Sequence, residues 1–407
     1  MLMRIGVITQ DIRLGGGVFT KLAAFLRYAE SRGYVCDVYY PAERPTSPRQ
    51  LERLRAIPSV GQLYAIPISE KVPHFTRASF FGHRCRFATS YDAYQLISAS
   101  LVLALPFVRG AHPFVAWVAG PASPEIVAMR RTKLHHYYLY NTVTMAALRR
   151  QEIACGLSAR IVLADSRYSE TGLVDELQLP REKLRVLTTP VDLGSFQPGI
   201  PVTRPRRYVL SVSRLHRGKG FPTLLRAFRE VTRHVGDVDL LIAGDGAERD
   251  ALERMTCELG LGHRVVFLGE VRDQQLIDVY RGATLFVLPS HLETLSIVVL
   301  EAMACGLPVI ATACGGPADH VHPGETGFLV PVEDWRTMSE QMLLVLRDPD
   351  RAERMGRAAR KRAVETFSTE IIYRKLDALY AELFGMSTSR APVGYAMSAG
   401  HAVDVSP

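Results

Sequence analysis

The chain has 407 residues, 47% of them hydrophobic and 22% charged, which is too long for one ordinary core and too apolar for a disordered chain. Its net charge of +8 is unevenly placed: residues 1–200 carry 24 Lys and Arg against 15 Asp and Glu, a net +9, and residues 201–407 carry −1. The six cysteines, at 36, 85, 155, 257, 305 and 314, form no Cys-x-x-Cys pair and have no metal-ligand spacing; this excludes a zinc site and a disulfide framework and points to a reduced, cytosolic compartment.

In chain order, Arg4–Gln10 reads as a first strand, too short and too soon polar at Gln10 and Asp11 to be a signal segment. Gly15-Gly16-Gly17 makes the following turn. Val18–Arg32 is predicted as a helix with its apolar face at Leu22, Phe25, Leu26 and Ala29, ended by Gly33. Val35–Tyr40, Tyr91–Ser100 and Phe114–Val118 read as strands. The apolar stretch from Ala93 to Val108 contains Gln95 and Pro106 and falls short of the roughly 18 residues of a spanning helix, so it reads as a buried strand followed by a helix. A helical region follows over about Pro124–Cys155. Arg160–Asp165 is expected to be the last strand of this half.

A proline-rich break runs from Thr189 to Pro205, the expected interdomain linker. The α/β alternation then restarts. Strands are predicted at Tyr208–Ser213, Val238–Ala243, Val265–Leu268, Leu285–Leu288 and Pro308–Ala311, and helices at Gly220–Arg233, Gly246–Leu259, Ser296–Cys305, Trp335–Thr366 and Thr369–Leu383. The expected organisation is an N-terminal domain over 1–190, a second domain over 205–368, a helix over 369–384 packing back toward the first domain, and a disordered tail over 385–407.

Four segments carry the chemistry. Ser290-His291-Leu292-Glu293 ends a strand, and Thr294 to Glu301 opens and runs along a helix. Glu293 falls in the loop, where it can face a ligand at the helix N-terminus. The backbone N–H groups of Leu295, Ser296 and Ile297 are candidate phosphate donors. Glu301 sits in a mostly apolar helix, where a carboxylate needs a partner and a ribose diol would serve. Ser213-Arg214-Leu215-His216-Arg217-Gly218-Lys219-Gly220 follows a strand and opens a helix. Arg214 and Lys219 there suit a diphosphate leaving with negative charge, although the segment reads equally as an ordinary basic loop, and the Walker order is absent. Ala243-Gly244-Asp245-Gly246 is a strand-to-helix turn of close backbone approach. Gly16 and Gly17 could bring N–H groups to a phosphate or sugar, but no GxGxxG fingerprint follows, which disfavours a dinucleotide site.

Together these segments resemble the retaining glycosyltransferases of family 4. The resemblance rests on Ser213-Arg214-Leu215 with Lys219-Gly220, on Ala243 to Gly246, and on Val266-Phe267-Leu268-Gly269. It continues through Pro289-Ser290 to Glu293, Glu301 to Thr312, and Gly315-Gly316 to Val330. It is close over about 205–370 and looser before, where Gly16-Gly17, Ala164-Asp165-Ser166 and Tyr168-Ser169 also resemble family positions. It implies the GT-B fold, two Rossmann-like parallel-sheet domains about a cleft, with the acceptor on the first and a nucleotide-sugar donor on the second. It implies that Arg214 and Lys219 hold the diphosphate and Glu301 the ribose. Glu293 and the backbone of Leu295–Ile297 would hold the donor sugar and distal phosphate. Val271 and Arg272 would frame the base, and Gly16, Gly17, Gly244, Asp245 and Gly246 would line the donor. No cofactor and no metal are expected: Arg214, Lys219 and the helix N-terminus would supply the countercharge that a bridging cation otherwise brings to the diphosphate.

The sequence departs from the family at Ala119, where many members carry a histidine; His112, His135 and His136 are the stand-ins to consider. That departure keeps open a nucleotide-sugar-binding protein without transfer activity, and a nucleotide-sugar isomerase is a further alternative. The expected partners are a nucleotide-sugar donor and a glycan, lipid-linked or small-molecule acceptor. Nucleic acid is not expected, for no helix-turn-helix, RNP or zinc-finger pattern is present. The basic first half, including Arg130, Arg131, Lys133, Arg149 and Arg150, reads either as a solvated face or as a peripheral contact with the inner face of a membrane.

Overall fold

The computed structural model describes residues 3–10, 16–42, 48–68, 77–122, 136–199 and 205–385. The first unit contains β1 (Arg4–Thr9), α1 (Gly16–Ser31), β2 (Val35–Ala42), α2 (Pro48–Arg55), β3 (Val60–Pro67), α3 (Arg77–Arg84) and β4 (Ala93–Ser98). It continues with α4 (Leu105–Arg109), β5 (Phe114–Val118), α5 (His136–Ser158), β6 (Ile161–Ala164), α6 (Arg167–Leu177) and β7 (Leu184–Val186). The second unit runs through β8 (Arg207–Val212), α7 (Phe221–His234), β9 (Val238–Ala243), α8 (Arg249–Glu258), β10 (Val265–Gly269), α9 (Asp273–Arg281) and β11 (Leu285–Leu288). It then adds α10 (Ile297–Ala304), β12 (Val309–Thr312), α11 (Pro317–His320), β13 (Gly327–Val330), α12 (Trp335–Leu346) and α13 (Pro349–Phe367), before a final helix, α14 (Thr369–Phe384).

All strand pairings between these elements are parallel, so every connection crosses over and both sheet faces are covered. The first sheet has the order β3-β2-β1-β4-β5-β6-β7 and the second β10-β9-β8-β11-β12-β13. In each, the chain winds outward from its first strand in one direction and then returns to wind in the other. The switch point therefore lies between β1 and β4 in the first sheet and between β8 and β11 in the second. Loops leaving neighbouring strands diverge there and open a crevice at the carboxyl ends.

The strand expected to close the first sheet, over 160–165, is followed by one more: β7 hydrogen-bonds to β6. Helix α5 is described from His136, and residues 123–135 lie outside the described part, as do Gly15, Arg130, Arg131, Lys133, His135 and 386–407.

The helix after the second unit belongs to the first. Ile372, Tyr373, Leu376, Leu379 and Tyr380 pack into the core formed by β1, β2, α1 and their neighbours. Arg32 forks onto Asp377, with Nε to Oδ1 at 2.8 Å and a terminal nitrogen to Oδ2 at 2.6 Å, and Tyr380 donates to Gln95 at 2.7 Å. Helix α13 stays with the second core through Ala359, Ala363 and Phe367. The chain thus crosses between units twice, near Val191 and at Ser368. The two crossings touch, because Val191 N–H donates to Phe367 C=O at 3.0 Å.

Candidate active site

The crevice at the second switch point is lined by the loops after β8 and β11. His291 N–H donates to Gly218 C=O at 2.9 Å and ties one loop to the other. At Gly220 the backbone is left-handed, with φ +65°, and a Cβ there would lie 2.0 Å from Pro289 O. Only glycine lets the two loops come so close, and the approach brings their charged side chains together. Lys219 Nζ lies 2.5 Å from Glu293 Oε1, and the same oxygen accepts from Ser290 Oγ at 2.8 Å. Glu293 is itself held by its backbone, donating to Cys314 O at 2.9 Å and accepting from Gly316 N at 2.8 Å. The Lys219 and Glu293 side chains are 16% and 13% exposed, open enough for an incoming ligand to compete for either.

Arg214 lies exposed on the same loop. His216 beside it has its pKa lowered, first by burial and then by the Lys219 and Arg214 cations, which favours its neutral form. The turns after β8, β9 and β10 are stitched together: Leu215 N donates to Asp245 O at 2.9 Å and Gly244 N to Gly269 O at 2.7 Å. Gly244, with φ +143°, sits where a Cβ would meet Ser213 O at 1.9 Å. Gly246 N–H is taken by the Asp245 carboxylate at 2.8 Å. Val271 and Arg272 precede α9, and the Arg272 side chain turns to Glu270 at 2.5 Å.

Helix α10 begins one residue later than its motif suggests. Ser296 is left-handed, with φ +68°, and Ile297 is the first helical residue. Leu295 and Ser296 are therefore buried pre-helical backbone, and Ile297 and Val298 carry the first helical N–H groups. Glu301 lies farther along. Its Oε2 accepts from Tyr280 Oη at 2.9 Å, and burial pushes its pKa up to about 7. The partner that its apolar setting demands is thus supplied in part by a tyrosine on α9, the helix that follows Val271 and Arg272. No sequence signal marked Tyr280, since the contact joins two helices.

The first unit closes on this crevice from across the cleft. A Cβ at Gly17 would lie 3.6 Å from Ile297 Cδ1. Ser166 donates through Oγ to Thr294 O, and Ser169 donates to Ala119 O with its Oγ 3.4 Å from Thr294 O. Ala119, in the place of the expected histidine, offers only its backbone. His112 does not stand in for it: the ring stacks on Tyr94 with centroids 4.3 Å apart, inside an aromatic cluster. The side chains of His135 and His136 are outside the described part. Among the described residues no group of three or more His, Cys, Asp or Glu could hold a metal ion, and no helix is long and apolar enough to cross a membrane.

Residues 197–362 match the family described as glycosyl transferases group 1. The chain is similar to the GDP-mannose-dependent alpha-(1-6)-phosphatidylinositol monomannoside mannosyltransferase of Mycolicibacterium smegmatis, at 34% identity over 59% of this chain and 65% of that relative. The match thus spans a little under two thirds of the relative's length. It is also similar to the D-inositol 3-phosphate glycosyltransferase of Corynebacterium aurimucosum, at 26% identity over 93% of this chain and 95% of the relative. Among solved structures, Anabaena Alr3699/HepE in complex with UDP and glucose shares the fold, with a TM-score of 0.73 at 19% identity, over 94% of this chain and all of that one.

Proposed function

We propose, from the match of residues 197–362 to the family described as glycosyl transferases group 1, that this chain moves a sugar from a nucleotide diphosphate to an acceptor held by its first domain. The observation that carries the reading is the Lys219–Glu293 pair at the second switch point, beside the start of α10. A diphosphate entering there meets Lys219, Arg214 and the N–H groups of Ile297 and Val298, which supply countercharge without a metal. As the diphosphate takes Lys219, Glu293 is freed to accept from the sugar hydroxyls. Glu301 and Tyr280 take the ribose, with the base near Val271 and Arg272, while Gly16, Gly17, Gly244, Asp245 and Gly246 border the donor.

The transfer retains configuration. The new bond forms on the face where the old one breaks, and the departing diphosphate takes the acceptor proton. Protein groups position the reactants and stabilise charge. Such chemistry does not require a side-chain base where Ala119 stands.

Purified protein and a panel of nucleotide sugars test this by nucleoside diphosphate release. GDP-mannose comes first, with inositol phosphates and phosphatidylinositol glycans as acceptors, following the relatives' names. Turnover with one donor, persisting in EDTA, is expected. Binding without turnover for every donor and acceptor would favour the non-transferring alternative.

A further inference from the structure

Helix α1 buries an apolar face with one exception. Lys21 sits among Leu22, Phe25, Leu26 and Ala29, and its side chain is 1% exposed. Its Nζ lies 2.6 Å from Asp165 Oδ2, and Asp165 is 4% exposed. The ammonium lies 5.7 Å from the centroid of the fully buried Trp117, whose indole N–H donates to Leu187 O at 2.9 Å. Asp165 Oδ1 is buried and accepts from no described residue. Burial works against both charges, lowering the pKa of Lys21 and raising that of Asp165.

An ion pair in such surroundings is a poor means of gaining stability. Desolvation offsets the attraction, and a well-packed apolar pair of the same volume holds as well or better. Here one carboxylate oxygen also lacks a well-formed hydrogen bond, with only the Trp117 indole near enough to favour the charge. What the pair supplies instead is a fixed length and direction between two segments that apolar packing would leave free to slide. Those segments are the ones facing the donor crevice. Lys21 stands in the second turn of α1, whose first turn places Gly17 against Ile297. Asp165 directly precedes Ser166, which caps α6 by accepting from Ser169 N at 3.1 Å and donates across the cleft to Thr294 O.

We propose that the Lys21–Asp165 pair is a positioning device for the reaction: it fixes the start of α1 relative to the Ser166–Ser169 turn, so that the first domain presents the acceptor to the donor carbon in register. The proposal rests on the transferase reading above. It assigns the two residues no contact with substrate; they act through Gly17, Ser166 and Ser169.

The test replaces the pair by apolar residues of similar size in Lys21→Met/Asp165→Leu, in the full chain. Its melting temperature is expected to stay within a few degrees of the wild type and its donor KM within about twofold, while kcat falls about tenfold or more. Asp165→Asn keeps a hydrogen-bond acceptor for Lys21 and should retain kcat within about threefold. Wild-type kcat in the double variant, or a donor KM that rises as far as kcat falls, overturns the proposal.

Should the double variant not fold, Ser166→Ala cuts the same path at the cleft: it is expected to lower kcat at unchanged donor KM, and unchanged kcat overturns the proposal. Should the wild type release no nucleoside diphosphate from any donor, the transferase reading has failed on its own. Amide exchange then reads the tie directly. Exchange at 16–20 and 166–170 should quicken together in the double variant and not in Asp165→Asn, while the second domain stays unchanged. Unaltered exchange at both segments removes the tie as well.

Discussion

Two carboxylates on neighbouring elements of one crevice are held in different ways. Glu293 is met by a cation and a hydroxyl; Glu301 is met by a phenol in a partly buried setting that lifts its pKa to about 7. Ribose hydroxyls donating to Glu301 favour its charged form, so nucleotide binding should lower that pKa and release a proton near pH 7. Calorimetry at pH 6.5 in two buffers of different ionisation heat is expected to show this release, and Glu301→Gln should abolish it. The sign for stability runs the opposite way to that of a salt-bridged acid. A carboxyl whose folded pKa is raised adds stability at low pH that is lost as pH rises through about 7. Glu152, lifted to about 7 chiefly by burial, behaves alike. Lys219→Ala should weaken donor binding by about 1.5–3 kcal/mol, the loss of a charge-assisted contact, as read by titration. Lys219 and Glu293 were legible in the sequence because each sits in a strand-to-helix loop rich in glycine or polar residues. Tyr280 and Lys21 were not: their partners are 21 and 144 positions away, and only the fold makes them neighbours.

Among elements, the strongly periodic ones were readable to within a residue or two, β5, β9 and β11 among them. The edge strand β3 was missed because its sequence, VGQLYAIP, alternates poorly and lies half-exposed. Strand β7 is three residues long, below what any periodicity can mark. The late start of α10 comes from the left-handed Ser296, a conformation set by the turn rather than by residue type. The turn after β9 has little tolerance. Gly244→Ala would drive a methyl into Ser213 O at a φ that alanine resists, and a destabilisation of more than about 1 kcal/mol is expected from urea unfolding. Because that turn is bonded to the loop carrying Arg214, donor affinity should fall with it.

For the whole molecule, the two-domain plan and the return of the final helix were expected from the sequence, but not the meshing of α14 with the first core. Tyr380→Phe isolates the polar part of that meshing. It leaves the buried Gln95 Oε1 without its donor and should cost about 1–3 kcal/mol in thermal or urea unfolding. Charge is the other molecular-scale property. Arg149 and Arg150 lie exposed on α5, and Arg149 donates to Glu176 O. Each basic residue near an anionic leaflet contributes about 1 kcal/mol, so the first domain is expected to co-sediment with anionic vesicles at low salt. Arg149→Glu/Arg150→Glu should reduce the bound fraction, and protein that stays in the supernatant at every salt concentration removes the membrane contact.

The helix at 369–384 also sets an order of events during synthesis. A ribosome releases the first domain's strands early, but that domain's core includes Ile372, Tyr373, Leu376, Leu379 and Tyr380. Until those residues emerge, α1 lacks the aromatic cover that Tyr373 and Tyr380 give Phe25 and Tyr28, and Arg32 waits for Asp377. The second domain, which needs nothing beyond α13, completes first. The N-terminal half is therefore the last to finish folding, and a released chain truncated before residue 372 would keep the second core whole while exposing an apolar groove on the first to chaperones.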